Sequence, residues 1–94
     1  MQPNIEHDDM GQKFSTEVEG EECLLAYTVI NNCLNLHFMT VPDGKKGEEI
    51  AEQLCLAAFR YARENNLKII SSSAYVDEVF LKNHPEFNEL IEEE

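Results

Sequence analysis

Alternating apolar and polar positions predict three consecutive strands in the first half of the chain. Residues 13–19 alternate, with Phe14 and Val18 on one side, which is typical of a strand at the edge of a sheet. Residues 23–30 are apolar on both faces and rich in strand-forming types, so we expect them to lie inside the sheet. The Asn31-Asn32 pair tolerates positive φ and suits a hairpin turn, after which residues 33–40 return as the third strand.

The third strand should have two different faces. Leu34, Leu36 and Phe38 share one side, and we predict that a helix covers this side. The other side carries the alternate residues, and we expect it to remain open to a partner: Cys33, Asn35, His37 and Met39.

The second half of the chain changes to a helical period. Apolar residues at helical spacing predict a helix over residues 47–65, followed by a short strand over residues 67–71. Because the helix allows a crossover, this strand can lie parallel to the third. A second short helix is predicted over residues 74–82, with Ser72 or Ser73 as its N-cap. The order β-β-β-α-β-α predicts an α+β domain whose sheet is mostly antiparallel with one parallel strand pair.

Length and composition predict a single small domain. The chain has 94 residues, of which 43% are hydrophobic, so a packed core is expected. We assign residues 1–12 to a flexible lead-in, residues 13–91 to the domain and residues 92–94 to an acidic tail. Neither a membrane span nor a signal peptide is indicated, and the expected compartment is the cytoplasm.

The charge of the chain restricts its partners. A formal net charge of −12 argues against nucleic acid and anionic membranes, which both reward a basic surface. An acidic body suits a cationic substrate or partner, although solubility alone explains it equally well. Lys45 and Lys46 form a local positive region just before the predicted helix. Since a helix start has free N–H groups, this loop could bind a phosphate; the alternative is a turn with a solvated lysine pair.

The cysteines do not predict a disulfide framework or a metal site. Cys23, Cys33 and Cys55 are odd in number, widely spaced and without a Cys-x-x-Cys pair. Each falls within a predicted strand or helix. We therefore interpret all three as reduced packing residues.

An ordered series of short motifs carries a family resemblance that covers roughly residues 14–90. The motifs are Val41-Pro42, Lys45-Lys46-Gly47, Ile50-Ala51, Leu54, Tyr61-Ala62-Arg63, Leu67-Lys68-Ile69-Ile70, Tyr75-Val76 and His84-Pro85. This series resembles the small, single-domain branch of the GNAT N-acetyltransferase superfamily. The resemblance implies a minimal GNAT-like fold that binds acetyl-CoA as co-substrate and transfers the acetyl group to an amine.

The resemblance also implies positions for the cofactor. The pyrophosphate would contact the loop and the helix start, at Lys45, Lys46, Gly47, Glu49, Ile50 and Ala51. The pantetheine and the acetyl group would lie along two strand ends, at Met39, Thr40, Val41, Ser72 and Ser73. The catalytic candidates that follow are Ser73, His84 and Tyr75, and His37 is a second candidate base.

Three residues depart from the family pattern. Glu49 stands at the second glycine of the usual Gly-x-Gly loop, Met39 stands where a threonine is common, and Ser73 stands where this branch commonly has a cysteine. A carboxylate at a phosphate site repels the ligand unless it points away. These departures keep open an alternative function: a catalytically inactive GNAT-fold binding module that has lost or weakened CoA binding. The acceptor and the oligomeric state are not indicated by the sequence.

Overall fold

The fold is a five-stranded mixed sheet with its helices packed into one core. A computed structural model describes residues 5–71 and 75–92, and its strands follow the order β1-β2-β3-β4-β5 across the sheet. The bounds are β1 Glu6–Asp8, β2 Lys13–Val18, β3 Glu21–Ile30, β4 Cys33–Thr40 and β5 Lys68–Ser71. Each of the first four strands is antiparallel to its neighbour among them, and β5 is parallel to β4. The predicted α+β class and the single parallel strand pair are confirmed.

The helical elements follow the predicted order but have different bounds. Helix α1 spans Lys45–Glu64, so it begins two residues earlier than residue 47. The second helix, as we call residues 76–83, is a π-helix over Val76–Phe80 that continues as an α-helical turn over Leu81–Asn83. A 3-10 helix over Pro85–Leu90 follows it. The predicted N-caps Ser72 and Ser73 lie outside the described residues.

Strand β1 lies within the stretch predicted to be a flexible lead-in. Its residues pair with β2, with Glu6 opposite Ser15 and His7 opposite Phe14. The His7 ring stacks on the Phe14 ring with centroids 4.2 Å apart, and this contact fixes the strand to the body of the domain. The edge position predicted for residues 13–19 is therefore wrong, because β2 lies between β1 and β3. Three polar residues carry too little periodicity to reveal such a strand.

The core lies between one face of the sheet and α1. Leu54, Ala58 and Phe59 on the helix are fully buried, as are Leu34 and Ile69 on the strands. The helices of the C-terminal part join the same core, because the Phe59 ring contacts Phe80 at 4.8 Å and Phe87 at 5.3 Å between centroids. Burying each of the leucine, isoleucine and phenylalanine side chains in this core stabilises the fold by about 1.5–3 kcal/mol.

A β-bulge reverses the predicted faces of β4. Ala26 pairs with Phe38 and the next residue, Tyr27, pairs with Leu36, so His37 is an extra residue in β4. An extra residue moves all following side chains to the opposite face. Phe38 is therefore 60% exposed, and Met39 packs against the core. The prediction that placed Phe38 under the helix and Met39 on the other face is wrong for this reason.

The cysteines are all free, as predicted. Cys23 and Cys55 are buried in the core, and burial raises the pKa of the Cys55 thiol to about 12. Such a thiol stays protonated at neutral pH and is a poor nucleophile. Within residues 5–71 and 75–92, no group of three or more His, Cys, Asp or Glu side chains is arranged to hold a metal ion. None of the helices formed by these residues is long and apolar enough to cross a membrane.

Candidate functional site

The junction between β4 and α1 is held by a close backbone contact. Gly47 is buried, and a Cβ atom at this position would overlap the carbonyl oxygen of Pro42. Gly44, just before the helix, has a φ of 87°, a conformation that glycine adopts without strain. The two glycines thus let the strand turn sharply into the helix, and the first turn of α1 lies directly against the end of β4.

The N-terminus of α1 has backbone donors that the helix itself does not use. The N–H group of Glu48 donates to the carbonyl oxygen of Gly44 at 3.1 Å, which is the first bond of the helix. The N–H groups of Lys45, Lys46 and Gly47 precede this bond, and the N-cap residue Gly44 provides no side-chain cap. Because α1 has 20 residues, its dipole adds a partial positive charge at the same place. This combination favours an anion.

The two lysines beside this helix start have different surroundings. The Lys46 ammonium lies 2.6 Å from a carboxylate oxygen of Glu19 in the turn between β2 and β3, and it holds the pKa of Glu19 below its usual value. Lys45 has no ion pair within the described part of the chain. Its ammonium is therefore free to meet an anionic ligand, whereas Lys46 would first have to leave Glu19.

Three clefts share Tyr75 in their lining, and we call them the loop cleft, the acidic cleft and the apolar cleft. The loop cleft, about 240 Å³, is lined by Met39, Val41, Pro42, Asp43, Gly44, Gly47, Glu48, Ala51 and Tyr75. The acidic cleft, about 280 Å³, is lined by Lys45, Glu48, Glu49, Glu52, Tyr75, Val79 and Asn83. The apolar cleft, about 330 Å³, is lined by Leu25, Leu36, His37, Phe38, Met39, Tyr75 and Val76. Tyr75 therefore lies where the three spaces join.

A larger cleft lies elsewhere, on the β1 side of the sheet. Its volume is about 410 Å³ and its described lining is Glu6, Ser15, Thr16, Glu17 and Glu22. This lining has three carboxylates and no cation, so it suits an anionic cofactor poorly. Chemistry therefore favours the smaller clefts around Tyr75 over the larger one.

The structure brings together only part of the predicted pyrophosphate set. Ile50 and Ala51 are 3% and 2% exposed, so their side chains belong to the core. The N–H groups of Glu49, Ile50 and Ala51 lie inside the helical hydrogen-bond pattern and are already used. The Glu49 side chain is exposed and borders the acidic cleft. The donors that remain belong to Lys45, Lys46 and Gly47.

The described pairing of the two parallel strands ends beside these clefts. β5 pairs with β4 as far as Leu36, which lies opposite Ser71, the last described residue of that strand. Among the described residues, Phe38, Met39 and Thr40 pair with β3. Met39 and Val41 border the loop cleft, whereas the Thr40 side chain is exposed. Ser72 and Ser73, the predicted residues on the facing strand end, lie outside the described residues.

Tyr75 has a partner that the sequence did not indicate. Its hydroxyl donates to the backbone carbonyl of Glu48 at 3.4 Å, across 27 positions of the chain. Burial raises the pKa of Tyr75 to about 12, and the neighbouring Cys55, Glu52 and Glu48 act in the same direction. The phenol therefore keeps its proton at neutral pH and acts as a hydrogen-bond donor.

The two candidate bases are both hydrogen-bonded to other side chains. The His84 ring has Nε2 at 3.2 Å from a Glu52 oxygen and Nδ1 at 3.7 Å from a Glu86 oxygen. His84 does not appear among the described residues that line the three clefts. His37 borders the apolar cleft, but its Nε2 forms a 2.7 Å hydrogen bond with the Thr28 hydroxyl. The structure thus does not place a free imidazole beside Tyr75.

Comparisons with known proteins agree on one family. A sequence model of the family described as GCN5-related N-acetyl-transferase matches residues 13–90. The chain is 30% identical to Protein NATD1 of Danio rerio over 91 residues, which cover 93% of this chain and 83% of that protein. Among solved structures it is similar to the NMR solution structure of a candidate GCN5-like N-acetyltransferase from Staphylococcus aureus. That match has a TM-score of 0.72 and 26% identity, and covers 97% of this chain and 89% of the other.

Proposed function

The chain belongs to the GCN5-related N-acetyl-transferase family, and from this membership we propose that it binds acetyl-CoA and transfers the acetyl group to an amine. One observation carries the proposal: α1 begins beside the loop cleft with a glycine at its N-cap, and Lys45 in its first turn has no ion pair among the described residues. A helix start of this kind suits the anionic cofactor that the family uses, and this supports the proposal.

The pyrophosphate would bind at the start of α1. The N–H groups of Lys45, Lys46 and Gly47 are its donors, and the Lys45 ammonium adds a charge-assisted contact. Gly47 is required because backbone approaches backbone at this point. Glu49 borders the same cleft as Lys45, so this site requires the Glu49 carboxylate to point away from the bound anion.

The pantetheine arm would follow the C-terminal end of β4 through the loop cleft. Met39 and Val41 line this path, and Met39 also borders the apolar cleft. Because Tyr75 lines both clefts, the thioester at the end of the arm would come close to the Tyr75 hydroxyl. Thr40 contributes through its backbone, since its side chain is exposed.

The reaction is attack of a neutral amine on the thioester carbonyl carbon. The C–N bond forms, the C–S bond breaks, CoA leaves as a thiolate, and water takes the proton of the amine. The Tyr75 hydroxyl would leave the carbonyl oxygen of Glu48 and donate its hydrogen bond to the developing thiolate. A phenol with a pKa of about 12 does not transfer its proton fully, because an ordinary thiol is the stronger acid. His84 holds Glu52 and has no direct part in this scheme, and Ser73 is not required by it.

One observation favours the alternative, a non-catalytic binding module. Glu48, Glu49 and Glu52 share the acidic cleft with Lys45, so carboxylates surround the ammonium that the cofactor would need. This arrangement weakens the attraction of an anion at low ionic strength. The two functions differ in the affinity of the protein for acetyl-CoA.

Calorimetric titration with acetyl-CoA tests the proposal. We expect saturable binding with one site, and Lys45→Glu should weaken it roughly 10–100-fold because a charge-assisted contact is lost. Lys82→Glu makes the same charge change at the far end of the second helix and is the matched control. It should retain the affinity within about threefold. If the unaltered chain does not bind, or if both variants lose affinity equally, the cofactor seat is not at Lys45.

A further inference from the structure

We infer that the acetyl acceptor is a small amine with an apolar body and a single amino group, and that it binds in the apolar cleft. This inference rests on the proposed function and adds the class of acceptor to it. Three features carry it: the position of the cleft, its lining and the partners of its polar side chains.

The apolar cleft continues from the proposed cofactor path. It shares Met39 and Tyr75 with the loop cleft, so the thioester would reach it at the Tyr75 hydroxyl. Its volume of about 330 Å³ is near the lower limit for small-molecule sites, which run from about 300 to 1,000 Å³. An amine with one ring or a short alkyl chain fits this space.

The lining of this cleft is apolar and carries no charge that could pair with an ammonium. Leu25, Leu36 and Val76 are buried, and Met39 packs against the same core. No carboxylate lines the cleft among the residues that the structure describes. The carboxylates near Tyr75, those of Glu48, Glu49 and Glu52, line the acidic cleft instead.

The two polar side chains of the lining are already hydrogen-bonded. His37 pairs with Thr28, which lies opposite Asn35 in the sheet, and Tyr75 donates to the Glu48 carbonyl. Among the described lining residues, Nε2 of His37 is thus already engaged, and no carboxylate is present to pair with a bound ammonium. We therefore assign the activation of the amine to its loss of water in the cleft.

An apolar cleft activates an amine by removing water from it. Loss of water disfavours the charged form of an amine, so its pKa falls and the neutral nucleophile becomes more abundant. The same effect excludes a second charge, because a buried ammonium without a partner costs several kcal/mol. A diamine or an amine with a carboxylate would therefore bind poorly. The acidic surface can still steer a cationic amine toward the protein, but the cleft selects against a second charge.

A pair of amines of equal chain length tests the inference. Acetyl transfer to hexylamine and to hexamethylenediamine is followed by the release of the CoA thiol, and kcat/KM is compared at one pH. We expect hexylamine to be preferred roughly tenfold or more, because the diamine would bury a second ammonium. The inference would be overturned if the two amines reacted at equal rates or if the diamine were preferred. It would also be overturned if neither amine were acetylated although acetyl-CoA binds. None of these results would contradict the proposed binding of acetyl-CoA. Absence of acetyl-CoA binding by calorimetry would remove the proposed function, and the inference with it.

A charged variant tests whether the preference for hexylamine arises in the apolar cleft. Met39→Glu places a carboxylate in the apolar lining, and we expect it to reverse the preference toward the diamine. Ile30→Glu is the matched control, because Ile30 is 58% exposed and lies at the β3–β4 turn, outside the three clefts. It should keep the preference for hexylamine. If Met39→Glu fails to fold, Met39→Gln adds polarity without charge and should reduce the preference. An unchanged preference in a folded Met39 variant would overturn the inference.

Discussion

Replacing Gly47 with alanine should destabilise the domain by about 2 kcal/mol or more and abolish measurable binding of acetyl-CoA. Helix propensity alone predicts the opposite sign, because alanine in a helix interior is about 1 kcal/mol more favourable than glycine. The contact with Pro42 decides the outcome, since the new Cβ would overlap a backbone carbonyl oxygen that no change of rotamer can move. The end of β4 and the first turn of α1 must then separate, and the N–H groups of that turn lose their position.

Urea unfolding and calorimetry measure the two parts of this prediction. Gly20→Ala is a useful control, because Gly20 has a φ of 82° but nothing within 4 Å of the added Cβ. It should cost about 1 kcal/mol through backbone strain and leave cofactor binding intact. A Gly47→Ala variant that is more stable than the original chain would show that the strand and the helix start do not approach as closely as described.

Replacing Phe59 with alanine should lower the free energy of unfolding by about 3–5 kcal/mol. Phe59 is fully buried and its ring contacts those of Phe80 and Phe87, so its removal leaves a cavity between α1 and the C-terminal helices. A chain of 94 residues has a total stability of about 5–14 kcal/mol, so the loss is a large fraction of the total.

Replacing Phe59 should also affect function, because the loosened helix directly follows Tyr75. Phe80 ends the π-helix that directly follows Tyr75, and Val76 of that helix lines the apolar cleft. Loosening this helix should reduce acetyl transfer even where the protein remains folded. Ile30→Ala is the matched control, because Ile30 is 58% exposed and lines none of the three clefts, and its effect on stability should stay within about 0.5 kcal/mol. Similar losses of stability in the two variants by thermal denaturation would contradict the described core.

The sequence predicts the strands and helices where local signals are strong. Asn31 and Asn32 do adopt positive φ in the β3–β4 turn, and the apolar period does place Ile50, Leu54 and Ala58 in the core. The bulge at His37 could not be predicted, because the register of β4 depends on its pairing with β3 and an alternating pattern looks the same with or without an extra residue. Strand β1 was missed because its stabilising contacts are tertiary: it pairs with β2, and the His7 ring contacts the rings of Phe14 and Tyr61.

In the candidate site, too, the features with a local sequence signal were predicted and those that depend on tertiary contacts were not. Adjacent lysines before a helix predict a positive helix start, and the N-terminus of α1, where Gly44 provides no side-chain cap, agrees with this. The sequence cannot show that Lys46 pairs with Glu19, because the two residues are 27 positions apart and meet only through the sheet. The bond from Tyr75 to the Glu48 carbonyl is equally distant in sequence. Such contacts depend on tertiary packing, and they decide which of the predicted residues remain free for a ligand.

The most direct test of the account is an amide chemical-shift titration of the labelled protein with acetyl-CoA. We predict the largest changes at the N–H groups of Lys45, Lys46 and Gly47, followed by those of Met39 and Val41, with saturation at one equivalent. This result would place the pyrophosphate at the start of α1 and the pantetheine along β4. Absence of any change, or changes confined to the cleft lined by Glu6, Glu17 and Glu22, would contradict the account.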